Sequence, residues 1–226
     1  MPNQTKKVAV LLAGCGSLDG SEIHEAVLTL LSLSKRGIDY EVIAPNKNQH
    51  HVINHITGQE MSENRNMLVE AARIARGKIK DLAQVQPYDY SALVLPGGFG
   101  AAKNLCDFAF KQDATYQVDS QVKKFIEAFK GEHKPVGFIC IAPVIAAEIY
   151  PSVSLTIGQD EAIANILQQK GAKHVKECVS SVCIDHDNQV VTTPAYMLGK
   201  SIAEVAEGID KLIEAVASLI DEKIHV

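Results

Sequence analysis

Short apolar runs alternate with segments of helical periodicity along nearly the whole chain, and this alternation limits the possible folds more than any other feature. The run Val8–Ala13 is apolar throughout, which is typical of a parallel strand that is covered on both faces. Between such runs, apolar residues recur every three or four positions, which indicates amphipathic helices. The pattern predicts a single α/β domain over residues 1–226, with a doubly wound, mostly parallel sheet and helices on both faces.

The ends of these runs give the expected element boundaries, with Ser21 as the N-cap of the first helix and a polar loop at residues 46–62. The predicted strands are Val8–Ala13, Tyr40–Ala44, Ser91–Leu95, Pro135–Ile139, Val153–Ile157, Val179–Ile184 and Gln189–Thr193, of which the last two form an antiparallel hairpin. Beyond the first helix, the clearest predicted helices are Asn64–Arg76, Ala101–Phe110 and Glu161–Gln169.

Composition excludes several classes of partner and compartment. The net charge is −5 and basic residues do not cluster with aromatic ones, so we expect neither a nucleic-acid partner nor a membrane partner. The five cysteines are odd in number and form no C-x-x-C pair, which favours free thiols in a reducing compartment. The sequence L-A-G-C at residues 12–15 imitates a lipoprotein signal, but its apolar run is too short, so we interpret it as a strand and expect a cytoplasmic protein.

The stretch Lys134–Pro143, with the sequence K-P-V-G-F-I-C-I-A-P, passes from an apolar strand into an apolar helical pattern. Cys140 lies at the turn between them, which is the position of the nucleophile in a strand–turn–helix elbow. Because main-chain N–H groups at a helix start favour an anion, we expect this thiol to ionise more easily than a free cysteine. The alternative is a buried cysteine that only fills core space.

A glycine-rich loop is expected at the same end of the sheet, since ligands in such folds bind beyond the carboxyl ends of the strands. The sequence P-G-G-F-G occupies residues 96–100 and follows a predicted strand. The N–H groups of Gly97 and Gly98, together with that of Ile141, are candidates for an oxyanion hole. An ordinary turn after a strand is the alternative.

Two glutamates at the start of the first helix, Glu22 and Glu25, are candidate partners of Cys140. A carboxylate beside a thiolate would bring two like charges together, so one of the two groups must hold a proton. The alternative is that both acids only stabilise the positive end of the helix dipole.

Three further residues are assigned to the pocket: Cys15, His24 and Asn104. His24 is a candidate accessory base or a helix-surface residue, and Tyr196 is a candidate for the pocket wall or the core. The remaining cysteines are interpreted as packing residues: Cys106, Cys178 and Cys183.

We predict neither a metal nor an organic cofactor. His51 and His55 have helical spacing, but no cysteine or acidic third ligand lies near them or near His50, so a solvated loop is favoured over a zinc site. The G-x-G pattern at residues 14–16 lacks the rest of a dinucleotide fingerprint.

Six runs together resemble one known family. They are G-C-G-S-L-D-G-S-E-I-H-E-A, H-V-I-N-H-I-T-G, R-N-M-L-V-E-A-A-R-I-A-R-G, P-G-G-F-G-A-A-K-N-L, G-F-I-C-I-A-P and V-V-T-T-P-A-Y-M. The chain resembles the ElbB-like family of isoprenoid biosynthesis proteins with an amidotransferase-like domain, within the PfpI-type class I glutamine amidotransferase-like superfamily. The resemblance extends from Val8 to about Val216.

The resemblance implies a flavodoxin-like fold with Cys140 at the elbow, and a homodimer. It also implies a weak glyoxalase III-type lyase activity, which converts glyoxal or methylglyoxal to glycolate or lactate without glutathione or metal. Such activity can reflect deglycase repair of early glycation adducts. The link to isoprenoid biosynthesis is attached to the family by name only.

The chain departs from the wider superfamily in ways that matter for its chemistry. Ile141 stands directly after the nucleophile, where hydrolytic relatives often have His, so glutamine hydrolysis and proteolysis are not expected. Glu22 and Glu25 compete for the role of the superfamily's helix-one glutamate, and we favour Glu22 because it is nearer to the loop. The alternative function is a non-enzymatic redox or stress-sensing homodimer with an oxidisable cysteine.

Overall fold

The computed structural model describes residues 6–224. Its strands, numbered in chain order, are β1 Lys7–Leu11, β2 Asp39–Ala44, β3 Ile79–Asp81, β4 Ala92–Leu95, β5 Val136–Ile139, β6 Ser154–Leu155, β7 Lys173–His174, β8 Cys183–Asp185 and β9 Val190–Thr193. Its α-helices are α1 Ile23–Lys35, α2 Met67–Ile74, α3 Phe99–Lys103, α4 Phe108–Lys111, α5 Ser120–Gly131, α6 Pro143–Ile149, α7 Glu161–Gln169 and α8 Ile202–Ile224. Short 3-10 turns lie at Leu82–Gln84, Pro87–Asp89 and Ala195–Met197.

The main sheet has seven strands in the order β3-β2-β1-β4-β5-β9-β8. All neighbours are parallel except β8 and β9, which form the expected antiparallel pair. The apolar runs of β1, β4 and β5 occupy its centre, where burial on both faces favours uniformly apolar strands. The predicted fold class, a flavodoxin-like doubly wound sheet, is therefore confirmed.

Adjacent residues of β5 show that helices cover both faces of the sheet. Gly137 faces α8, because a Cβ added there would lie 2.9 Å from a side-chain carbon of Leu212. Phe138 points to the opposite face, where its ring meets that of Tyr150 edge-on at 6.4 Å between centroids. Successive residues of a strand face opposite sides, so the two contacts belong to different layers.

The start of α1 differs from the prediction, and the difference decides the site. Ser21 is not the N-cap, because its hydroxyl accepts a hydrogen bond from the N–H of Ala13 at 2.8 Å and thereby holds the loop after β1. Glu22 caps the helix instead, and its carboxylate accepts from the N–H of Glu25 at 2.7 Å. The helix begins one residue later than a Ser21 cap would place it.

Other boundaries shift for similar local reasons. Helix α2 begins at Met67 rather than Asn64, because the side chain of Asn66 caps it by accepting from the next two free N–H groups. The predicted helix Ala101–Phe110 is two short helices, α3 and α4. Strands β3 and β7, of three and two residues, were not predicted; β7 pairs with β6 in a separate two-stranded parallel sheet.

The polar loop at residues 46–62 is held against the loop after β1 and against α3. The N–H of Ile53 donates to the Asp19 carboxylate at 2.7 Å, and the N–H of His50 donates to the side-chain oxygen of Asn104 at 2.9 Å. These bonds fix the loop next to β1 and β2 at the carboxyl end of the sheet.

Within the described residues, no helix combines the length and apolar character required to cross a membrane.

Candidate functional site

Cys140 occupies a strained turn between β5 and α6. Its φ is +62°, in the left-handed region that residues with a Cβ rarely adopt, at a cost of about 1–2 kcal/mol. The N–H of Cys140 donates to the carbonyl of Thr193 at 3.0 Å, which ties the turn to the end of β9. The residue is only 7% exposed. A backbone strained in this way at a strand–helix junction is the geometry of a nucleophile elbow.

The glycine pair after β4 lets the chain pass directly against this cysteine. A Cβ added to Gly97 would lie 2.5 Å from the Cβ of Cys140 and 2.7 Å from a carboxylate oxygen of Glu25. Gly98 has a φ of +92°, and a Cβ there would overlap the main-chain nitrogen of Glu22. Both positions therefore require glycine, for close approach and for backbone conformation.

Glu25 is the carboxyl group that lies beside Cys140. It is fully buried, and it accepts from the N–H of Gly97 at 2.9 Å and from the N–H of Tyr196 at 3.3 Å. Its carboxyl also lies beside the Cys140 thiol, and each of the two groups affects the pKa of the other. Burial, and secondarily the negative charge of Glu22, raises the pKa of Glu25 to about 8.

Our preference for Glu22 as the partner of Cys140 is therefore wrong. The carboxylate of Glu22 is half-buried and is used at the N-cap, where it accepts from the N–H of Glu25. Glu25 follows that cap by three residues, nearly one helical turn, so its side chain lies on the buried face of α1 next to Gly97. Glu22 contributes to the site through its charge, which acts on Glu25.

The expectation that Cys140 ionises easily is also not supported. Burial is the largest influence on its thiol and raises its pKa above the ordinary range, and the charge of Glu25 adds to that effect. The N–H groups of Gly98 and Ile141 point at the sulfur and act in the opposite direction. The Cys140 thiol and the Glu25 carboxyl thus form a coupled pair. The pair gives up its first proton near pH 8 and does not carry two negative charges at neutral pH.

Two of the three predicted oxyanion-hole donors face the sulfur, and the third does not. The N–H groups of Gly98 and Ile141 lie at Cys140, where they would meet a negatively charged oxygen on an adduct of that sulfur. The N–H of Gly97 instead donates to Glu25. Gly97 therefore positions the carboxyl group.

A histidine and a tyrosine meet at the rim of the site. The Nδ1 of His24 lies 2.7 Å from the hydroxyl of Tyr196, and both side chains are in part accessible to solvent. Burial and the charges of Glu22 and Glu25 raise the pKa of the Tyr196 phenol. The sequence identified His24 as a pocket residue, but no spacing rule connects it to a tyrosine 172 positions away.

The other two predicted pocket residues, Cys15 and Asn104, have surroundings of their own. Burial, and then the charge of Glu70 on α2, raises the pKa of Cys15. The amide of Asn104 donates to the carbonyls of Ala13 and Asp19 at 3.0 and 2.9 Å. This side chain therefore stabilises the loop after β1.

The remaining cysteines divide into two kinds. Cys106 and Cys183 are buried, as expected of packing residues, and burial raises the pKa of each thiol, to about 12 and about 11. Cys178 is exposed, so its interpretation as a packing residue is wrong. Hydrogen bonding to Ser181, with the sulfur 2.9 Å from the hydroxyl, lowers the pKa of the Cys178 thiol.

The three loop histidines take part in local contacts. The ring of His50 packs on Phe110 with 4.1 Å between centroids, next to the ring of His51. The Nε2 of His55 accepts from the N–H of Leu18 at 3.2 Å. In residues 6–224, no group of three or more His, Cys, Asp or Glu side chains is arranged to hold a metal ion.

Known proteins match this chain over nearly its full length. No protein-family model matches the sequence. The rat (Rattus norvegicus) "ES1 protein homolog, mitochondrial" is 40% identical over 228 residues, covering 96% of this chain and 85% of the relative. The human "Glutamine amidotransferase-like class 1 domain-containing protein 3, mitochondrial" is 40% identical over 229 residues, covering 97% and 85%. The chain belongs to the ES1 family of amidotransferase-like proteins.

Solved structures agree with this membership of the ES1 family. An isoprenoid biosynthesis protein with amidotransferase-like domain from Ehrlichia chaffeensis superposes with a TM-score of 0.87 at 35% identity, covering 94% of this chain and 99% of that one. More distant structures such as Drosophila melanogaster DJ-1beta share the fold alone, with a TM-score of 0.55 at 16% identity. The resemblance drawn from the six sequence runs is therefore confirmed.

Membership of the ES1 family corrects one expectation. The rat, human and zebrafish (Danio rerio) members are all named as mitochondrial proteins, so the predicted cytoplasmic location is contradicted.

Proposed function

We propose that this ES1-family protein is a cofactor-independent glyoxalase that converts glyoxal or methylglyoxal to glycolate or lactate through Cys140. The observation that carries the proposal is the buried Glu25 carboxyl next to the thiol of a strained elbow, together with the N–H groups of Gly98 and Ile141 at the sulfur. It supports the proposal because the reaction requires a nucleophile, a general base and an oxyanion hole.

The first step forms a hemithioacetal. The Cys140 sulfur bonds to the aldehyde carbon C1, and the electron pair of the C1 carbonyl moves to its oxygen, O1, against the N–H groups of Gly98 and Ile141. In the fraction of molecules in which Glu25 is ionised, the thiol proton passes to the Glu25 carboxylate and from there to O1. Glu25 is suited to this transfer because a base with a pKa near 8 can both accept and return a proton near neutral pH.

The second step moves hydrogen from C1 to C2. The Glu25 carboxylate takes the C1 proton, the C1–C2 double bond forms, and the electrons of the C2 carbonyl move to its oxygen, O2. Return of that proton to C2, with transfer of the O1 proton to O2, gives a thioester of the 2-hydroxy acid. Water then adds to the thioester, the C1–S bond breaks, and Cys140 recovers its proton, so the net reaction takes up one water.

A redox or stress-sensing function is the second candidate, and the same donors favour it. Peroxide would oxidise the Cys140 sulfur, and the N–H groups of Gly98 and Ile141 would hold the oxygens that the sulfur gains. The two functions differ in turnover, since an enzyme cycles whereas a sensor reacts once per thiol.

We also propose that the protein acts as a homodimer. The support is an apolar stripe on the outer face of α1, where Ile23, Val27 and Leu31 are spaced by four residues and are 43–47% exposed. Light scattering measures the mass in solution, and twice the 24.5 kDa chain mass is expected.

A proton NMR time course of excess glyoxal tests the enzymatic proposal. We expect many equivalents of glycolate from the parent protein, none above background from Cys140→Ser, and unchanged turnover from the matched control Cys178→Ser. A single equivalent consumed, or equal product from the parent and Cys140→Ser, would reject the glyoxalase proposal and favour the sensor.

A further inference from the structure

The rim of the site contains a second polar contact that the steps above do not use. The hydroxyl of Tyr196 and the Nδ1 of His24 are 2.7 Å apart, and their rings are inclined at 45° with 5.9 Å between centroids. His24 directly precedes Glu25 on the first turn of α1, and the N–H of Tyr196 donates to the Glu25 carboxyl. Tyr196 is therefore tied to the Glu25 carboxyl through its main-chain N–H and to α1 through its hydroxyl.

The chemistry of a 2-oxoaldehyde requires two oxygen sites. The oxygen on C1 has the N–H groups of Gly98 and Ile141. When the C1 proton leaves, however, negative charge develops on the oxygen of C2, and those two donors are already engaged. An unassisted enolate oxygen near the charge of Glu22 would be costly, so the reaction requires a further donor facing C2.

The contact between the Tyr196 hydroxyl and His24 is in a position to provide this donor. Cys140 and Glu25 lie at the base of the site, and both are buried, whereas Tyr196 and His24 lie at its solvent side. A two-carbon or three-carbon substrate bonded to the sulfur through C1 directs C2 away from the base and toward the rim. The phenol is then the polar group on the side of Glu25 that faces C2.

We propose that Tyr196 donates a hydrogen bond to O2 as the C1 proton passes to Glu25, and that His24 is a positioning residue that orients the phenol. This inference rests on the proposed glyoxalase function. The proposal requires the His24 tautomer in which Nδ1 carries the proton and donates to the phenol oxygen, because this leaves the phenol hydrogen free for O2. No electrons pass to the protein: O2 gains the electron pair of the C2 carbonyl, accepts the phenol hydrogen bond, and later receives the proton from O1.

Tyr196→Phe removes the donor and keeps the ring and the main-chain bond to Glu25. The matched control is Tyr88→Phe, a 69% exposed tyrosine in the turn before β4, at the other end of the strands. With glyoxal we expect kcat to fall at least tenfold in Tyr196→Phe, with KM changed less than threefold and with Tyr88→Phe unchanged. Alkylation of Cys140 by iodoacetamide, followed by peptide mass spectrometry, should stay within twofold of the parent rate.

Each other result has a definite meaning. Retained kcat in Tyr196→Phe overturns the inference alone, and an equal loss of kcat and of Cys140 alkylation assigns Tyr196 a structural role through Glu25, which also overturns it. A parent protein that makes no glycolate refutes the proposed function, and the inference falls with it.

The role of His24 is tested by rescue. His24→Ala should lower kcat about fivefold, and His24→Asn, whose amide can donate from near the Nδ1 position, should restore most of it. In the Tyr196→Phe background, His24→Ala should have no further effect, because the group that it orients is gone. Additive losses in the double variant would overturn the positioning role.

Discussion

The site at Cys140 and the surface around Cys178 present thiols in opposite settings. Cys178 is exposed, and its hydrogen bond with Ser181 lowers the pKa of its thiol, so acidity and access favour it as the reactive cysteine. Cys140 is nearly buried, and burial raises its pKa. Of these two thiols, however, Cys140 is the one with a buried carboxyl group and two N–H donors next to its sulfur. The comparison separates two properties: the acidity of a thiol and the presence around it of the groups that the proposed turnover requires.

The largest expected effect concerns the base. Glu25→Gln keeps the shape and an acceptor oxygen but cannot take a proton, so glycolate production should fall by about 10²–10⁴-fold. Glu22→Gln is the matched control three residues away; its side-chain oxygen still caps α1, and its turnover should stay within about fivefold. Steady-state kinetics with both variants measures these changes. A larger loss of turnover in Glu22→Gln than in Glu25→Gln would identify Glu22 as the base.

The choice between these glutamates marks the limit of prediction from sequence. The elbow at Cys140 could be predicted because a strand, a cysteine and a helix are adjacent in the chain. The identity of the base could not, because it depends on whether Ser21 or Glu22 caps α1. Ser21 would cap an isolated helix well, but the N–H of Ala13 uses its hydroxyl in the folded protein.

The fold shows the same division between local and distant information. The central strands β1, β4 and β5 were predicted nearly to their ends, since each is a continuous apolar run. The edge strand β3 has three residues, too few for any periodicity, and exists because it pairs with β2. Tyr196 likewise could not be placed against Glu25, because the two residues are brought together only when β9 pairs with β5.

The second prediction concerns stability. The pKa of Glu25 is about 8 in the folded protein and ordinarily 4.5, so the folded state holds this proton more tightly than the unfolded chain does. Below pH 4.5 the carboxyl is protonated in both states. As the pH rises from 4.5 toward 8, the unfolded chain gains a favourable ionisation that burial denies to the fold, and stability falls. At pH 7 this amounts to about 3 kcal/mol, at about 1.36 kcal/mol per unit.

Glu25→Gln should remove this dependence of folding stability on pH. Urea denaturation followed by circular dichroism should show the variant near parent stability at pH 5 and more stable by about 2–3 kcal/mol at pH 7. Glu22→Gln measured in parallel should show no comparable gain. An equal difference between parent and Glu25→Gln at both pH values would mean that Glu25 is ionised in the folded protein throughout this range.

The smallest expected effect is the difference between the labelling rates of Cys140 and Cys178. At pH 7, iodoacetamide should modify Cys178 about tenfold faster than Cys140, because Cys178 is exposed with a lowered pKa whereas Cys140 is 7% exposed with a raised one. Peptide mass spectrometry of timed samples measures both rates in one reaction, and Cys178→Ser confirms the assignment. Faster labelling of Cys140 would mean that the N–H groups of Gly98 and Ile141 outweigh burial and that the proton of the pair resides on Glu25. The thiolate would then be present before substrate arrives, and Glu25 would act first as an acid.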